Sequence, residues 1–169
     1  KSKDFLCGDN EGYSIVPLER LFKSKLGKTM SEVLSKKSLE DQVKYVVDNV
    51  VEITELEGFG EYLTKMFEFD AVVLNEDRHF KNIAVLKKDS SYRYCPIFDN
   101  GAAFLSDIRE DYPLEKSVYG LIPNVKSKPF ATDFDKQIET FQKLYKTQLK
   151  NQYNRHLYSE SKPFQAPNQ

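Results

Sequence analysis

Apolar residues recur at helical spacing over most of this chain. Leu18, Leu21, Phe22 and Leu26 fall three to four positions apart, which predicts a helix over 18–26, and Gly27 is a suitable stop. Thr29-Met-Ser-Glu32 is a capping-box pattern for a short helix running to Lys36. Ser38-Leu-Glu-Asp41 caps a longer one that would bury Leu39, Val43, Val46, Val47, Val50 and Leu56; its spacing and length outweigh the strand preference of its valines. Gly58-Phe-Gly60 breaks the pattern. Tyr62, Leu63, Met66, Phe67, Val73 and Leu74 then predict a helix over 61–74 that leads straight into Asn75.

The period changes after that helix. Residues 83–86 read as a short apolar strand, 87–91 as a polar turn and 92–98 as the returning strand, with Pro96 implying an edge position or a bulge. Asn100-Gly101 permits positive φ beside Asp99. Residues 106–133, with Pro113, Pro123 and Pro129, read as irregular. A long helix follows from Asp133, with Phe134, Ile138, Phe141, Leu144, Tyr145 and Leu149 on one face. Residues 1–17 read as loop or a short strand, and 159–169 as a loosely held polar tail. Ser-Lys-Pro-Phe at 127–130 and again at 161–164 is a coincidence rather than a repeat.

These elements make an α+β chain, mainly helical, in one domain. A helical lead-in covers 1–57, a helix-loop-hairpin covers 58–105, and an irregular segment with a C-terminal helix covers 106–169. A length of 169 residues suits one domain or one large lobe. A net charge of −1 offers no basic field to nucleic acid. No apolar run approaches the roughly 18 residues that span a bilayer, and no secretory signal opens the chain, so a cytoplasmic location is expected. Cys7 and Cys95 fit no metal or redox spacing and read as reduced thiols. The start at Lys1 rather than Met reads as a piece of something longer.

The candidate chemistry lies between the 61–74 helix and the hairpin. The run Leu74-Asn-Glu-Asp-Arg-His-Phe-Lys-Asn-Ile-Ala-Val-Leu86 is followed by Pro96-Ile-Phe-Asp-Asn-Gly101. Asp77 and Asn82 are five positions apart, the spacing of protein-kinase catalytic loops. There the aspartate meets the substrate hydroxyl and the asparagine holds magnesium. Asp99 stands where such enzymes keep the other magnesium ligand. Magnesium takes oxygen ligands, commonly one or two carboxylates plus phosphate oxygens; Asp99 and Asn82 offer one charged and one neutral oxygen.

His79, when neutral, can donate a hydrogen bond to the site; protonated, it can balance γ-phosphate charge. Lys81 is either a phosphate contact or a solvated lysine. Asp70 either fixes the loop through backbone hydrogen bonds or faces solvent. Asn75 would stabilise the loop turn, Arg78 is solvated or binds loop carboxylates, and His156 is a surface residue. Each of the three oxygen ligands alone also suits a plain role: Asp77 at a helix end, Asn82 as a turn former, Asp99-Asn-Gly as a tight turn. All three around one hairpin favour a metal site.

The segment Phe67-Glu-Phe-Asp-Ala-Val-Val-Leu-Asn-Glu-Asp-Arg-His-Phe-Lys-Asn82, with Pro96-Ile-Phe-Asp-Asn-Gly101, resembles the core signature of HipA-like serine/threonine kinases, short bacterial CtkA-type members among them. Ser127-Lys-Pro-Phe130 before a long helix is also similar. The resemblance covers about residues 58–150 and is specific over 67–105. It implies a protein-kinase-like C-lobe with a short catalytic hairpin. It also implies Asp77 as the catalytic aspartate, Asn82 and Asp99 as Mg2+ ligands, ATP as donor and a protein Ser or Thr as acceptor. Asp77-Arg-His79 followed by Asn82 resembles the loop of phosphoinositide-3-kinase-like enzymes as well, which makes a lipid or small-molecule hydroxyl the competing acceptor.

Such kinases also carry an N-lobe with a phosphate-covering loop and a phosphate-pairing lysine. No Gly-x-Gly-x-x-Gly and no Val-Ala-Ile-Lys-like run occurs in these 169 residues. The favoured explanation is a catalytic lobe whose N-lobe lies upstream. The others are an N-lobe on a separate subunit, or a non-catalytic relative: a pseudokinase lobe or a toxin–antitoxin module that docks an antitoxin-like partner. No nucleic-acid or membrane partner is expected.

Overall fold

Three helices of the lead-in form where the apolar spacing puts them. The computed structural model describes residues 6–107, 113 and 116–149; the expected 159–169 tail, the second Ser-Lys-Pro-Phe run and His156 lie outside the described residues. Helix α1 (Leu18–Leu26) ends at Gly27, whose φ of 67° is the left-handed conformation that favours glycine. Helix α2 (Met30–Leu34) opens with a complete capping box. The Thr29 hydroxyl accepts from the Glu32 N–H, and the Glu32 carboxylate accepts from the Thr29 N–H at 2.7 Å. That backbone bond holds the exposed Glu32 carboxyl below its usual value. Ser38 caps α3 (Leu39–Thr54), which buries Val43, Val46, Val47 and Val50 as one stripe.

Helix α4 (Phe59–Val73) lies at the centre of the molecule and is buried on most of its circumference. Its start corrects the expectation of a break at Gly58-Phe-Gly60, since Gly60 lies inside the first turn. A Cβ at Gly60 would come within 2.3 Å of the Tyr145 ring, so the missing side chain serves close helix packing rather than chain reversal. That ring belongs to α6 (Phe134–Tyr145). The expected helix to Leu149 stops at Lys146, where φ is 63°. The stop has a cause in α4: the buried Glu68 carboxylate accepts the backbone N–H groups of Gln148 and Leu149 and the Gln142 amide.

The sheet is three-stranded and antiparallel in the order β1-β2-β3. Strand β1 (Ser14–Pro17) pairs with β2 (Ala84–Lys88), and β2 pairs with β3 (Ser91–Tyr94). The hairpin is as expected, but its return strand ends at Tyr94 rather than at Phe98. Pro96 has no N–H to continue a ladder, so it marks the end of pairing. Within the segment read as irregular, Val118–Leu121 forms one short helix, α5, followed by a 3-10 turn over Ile122–Asn124.

The main core joins α1 to α4 with Ile83, Val85, Phe130 and Phe141. Among the described residues no helix is long and apolar enough to cross a membrane.

Candidate active site

Helix α4 delivers the loop. Its last turn closes with Leu74 in the left-handed region, φ 55°, and the Asn75 N–H reaches back to the Asp70 carbonyl at 2.8 Å. The chain then runs over 75–83 without regular structure before entering β2. Two backbone bonds tie that loop to the start of α1: Leu18 N–H to the Ile83 carbonyl at 2.8 Å, and Glu19 N–H to the Phe80 carbonyl at 3.4 Å. Pro17 precedes α1 and makes no side-chain cap, so loop carbonyls satisfy N–H groups that a helix start leaves open.

A buried guanidinium organises the site. Arg78 is 0% exposed and forks onto Asp70, Nε to Oδ2 at 2.8 Å and Nη2 to Oδ1 at 2.9 Å. Nη1 donates to the Asn82 carbonyl at 3.1 Å and the Phe98 carbonyl at 2.6 Å, and Nη2 donates to Asn100 Oδ1 at 2.5 Å. Asn75 Nδ2 donates to Asp70 Oδ1 at 2.9 Å, and its Oδ1 accepts the Asp77 N–H at 3.4 Å. One cation thus grips helix α4, the Asn82 end of the loop and the 98–100 turn, and Asp70 ties in Asn75 at the other end. A buried charge of this kind is tolerated because every polar face has a partner.

The frame fixes the three predicted oxygen ligands. Asn82 Nδ2 donates to the Asp77 carbonyl at 3.0 Å, so the amide oxygen Oδ1 is the atom of this side chain that could serve as a ligand. Asp99 is exposed and stands between the two residues that Arg78 holds, Phe98 and Asn100. Its own φ is 56°, whereas positive φ was expected at Asn100-Gly101. With the neighbours on both sides clamped, Asp99 becomes the apex of the turn, a conformation aspartate tolerates better than most residues. Phe104 and Leu105 are also left-handed, both at φ 57°, in the segment that crosses the end of α4 through the Phe104 N–H to the Val73 carbonyl.

Asp77 is half-exposed and lies between two basic groups. Lys128 Nζ is 3.2 Å from Oδ1 and His79 Nε2 is 3.7 Å from Oδ2, the latter beyond hydrogen-bond range. His79 Nδ1 is buried with no hydrogen-bond partner among the described residues. Lys81 is exposed, and its ammonium lies 3.9 Å from Glu19 on α1, so Lys128 rather than Lys81 meets the Asp77 carboxylate. A cleft of about 570 Å³ opens on this side, lined by His79, Phe80, Lys81, Lys128 and Pro129 together with residues from α1, α2 and the start of α3.

Three of these residues carry more than the pattern assigned them. Asp70 and Arg78 form the buried frame, and Lys128 touches Asp77. Gln137, wholly unanticipated, holds the loop that carries Lys128. The signals were present. Asp70 sits between the apolar positions Phe67 and Ala71 of a buried helix, and Gln137 sits three and four places from Phe134 and Phe141 on the apolar face of α6. A polar group in such a stripe needs a partner. Among the described residues no group of three or more His, Cys, Asp or Glu side chains could hold a metal ion. One carboxylate and one amide oxygen, as on Asp99 and Asn82, are the donor types magnesium accepts when phosphate and water complete its shell. No protein-family model, curated protein or solved structure matches this chain.

Proposed function

We propose that this chain is the catalytic lobe of a HipA-like protein serine/threonine kinase with a protein-kinase-like C-lobe fold. The observation that carries this reading is the Arg78 clamp. It holds the Asp77–Asn82 loop and the Asp99 turn on one buried cation, although 17 positions separate Asn82 from Asp99. Phosphoryl transfer asks for little covalent help and much positioning, which such a frame supplies.

In this mechanism Asn82 Oδ1 and the Asp99 carboxylate would hold Mg2+, which would supply charge neutralisation for the ATP phosphates. Asp77 accepts a hydrogen bond from the acceptor hydroxyl and orients it toward the γ-phosphorus. The acceptor side chain approaches through the cleft beside His79 and Lys128, the two groups that flank Asp77. His79, with Nε2 3.7 Å from the Asp77 carboxylate, would donate a hydrogen bond to the site. The N-lobe that grips the remaining phosphates comes from elsewhere in the gene product or from a second subunit.

The test is incubation of the intact gene product with γ-labelled ATP, with and without Mg2+. The expected result is Mg2+-dependent label in phosphoserine or phosphothreonine. Label on a phosphoinositide or a small molecule alone would transfer the reading to the competing acceptor class. No label under any of these conditions would favour a binding module and overturn the kinase reading.

A further inference from the structure

Lys128 is held to Asp77 by a loop built more firmly than an exposed lysine requires. Ser127 N–H bonds the Thr132 carbonyl at 2.8 Å and closes the loop. Inside it, the buried Gln137 side chain makes four hydrogen bonds. Its Nε2 donates to Ser127 Oγ at 2.8 Å and to the Lys128 carbonyl at 3.1 Å, and its Oε1 accepts the Phe130 and Ala131 N–H groups, each at 3.1 Å. Phe130 anchors the far side of the loop, edge-on to Phe67, Phe80 and Phe141. Phe80 belongs to the same loop as Asp77, so the two loops are packed directly together.

The ion pair itself is roughly half exposed at both ends, 53% and 48%. An exposed pair of this kind contributes little to stability, so the support has another use. An ammonium has three donors and Asp77 takes one, which leaves others for phosphoryl oxygens. A hydroxyl aimed by Asp77 at the γ-phosphorus must lie within about 3.5 Å of it, so the phosphoryl oxygens fall within reach of a cation already on that carboxylate.

We propose, resting on the kinase reading above, that Lys128 is a further catalytic residue that contacts the transferred phosphoryl group. In the step it serves, the acceptor oxygen forms a bond to the γ-phosphorus. The bond from that phosphorus to the β,γ-bridging oxygen breaks, and ADP leaves with the electron pair. The hydroxyl proton passes to Asp77 and then to solvent. Lys128 neutralises the equatorial oxygens while the charge spreads over them and undergoes no covalent change.

The test is Lys128→Met and Lys128→Arg in the intact gene product. Lys128→Met should lower kcat about 10²-fold or more, as loss of a preorganised charge-stabilising donor does, with KM for MgATP within about threefold of wild type. Lys128→Arg should recover much of the loss. Lys128→Met should also bind MgADP normally but bind MgADP–aluminium fluoride, which mimics the transferring group, at least about tenfold more weakly. Wild-type transfer with an equally active Lys128→Met enzyme would overturn the proposal and leave the kinase reading standing. A wild type that transfers nothing would overturn both.

Discussion

At the scale of single residues, Arg78 accounts for more of the site than any predicted ligand. Its five hydrogen bonds leave Asp70 paired in an interior where an unpaired carboxylate would be costly. Replacing Arg78 by Met should therefore destabilise the chain by about 3–5 kcal/mol, a fall in Tm of about 10 °C for a chain of this size. Thermal denaturation followed by circular dichroism checks this, and an unchanged Tm would show that the clamp is not structural. The two cysteines make a second residue-scale prediction. Cys7 is exposed, whereas burial pushes the Cys95 thiol up to about 11. Iodoacetamide at neutral pH should label Cys7 and spare Cys95, as read by mass spectrometry. The sign of the linkage follows: a raised thiol stabilises the fold below the ordinary value of about 9, and that contribution is lost as pH rises from about 9 to 11. Asp77, Asn82 and Asp99 were picked out as candidates in the sequence by spacing and residue type alone. Arg78 was not, because arginine is usually solvated and its partners lie 4 to 22 positions away on three separate segments.

At the scale of elements, α4 does the positioning. It packs against α3 and α6, and it carries the buried acids Glu68 and Asp70 at different points along its length. Its approach to α6 depends on Gly60. Gly60→Ala should push the Tyr145 ring aside and cost about 1–3 kcal/mol as an overpacked contact, measurable by denaturant titration. A variant as stable as wild type would show that α6 shifts freely. Helices α1 to α3 were legible because local signals agree with the fold: apolar spacing, the Thr29 and Ser38 caps, and Gly27. The ends of β3 and α6 were not, because distant partners decide them. Glu68, 80 and 81 positions away in sequence, takes the Gln148 and Leu149 N–H groups just beyond the end of α6. The pairing of β1 with β2 was missed for a related reason, since four residues with one proline carry little pattern alone.

At the scale of the whole molecule, the proposed function asks the fold to act as a rigid floor for phosphoryl transfer. Loop, hairpin and Asp99 turn are anchored to one core, and the cleft beside Lys128 opens on the acceptor side. If Asn82 and Asp99 hold the metal, Asp99→Asn in the intact gene product should weaken MgATP binding by at least about tenfold, or 1.4 kcal/mol, with little effect on Mg2+-free ATP, as calorimetry would record. Equal affinities would move the metal site elsewhere. The central claim is that Asp77 orients the acceptor hydroxyl without holding the nucleotide. Its most direct test is the rate of phosphoryl transfer by Asp77→Asn at saturating MgATP. Asp77→Asn should lose at least about 10²-fold in that rate with MgATP binding retained. Transfer at the wild-type rate would contradict it.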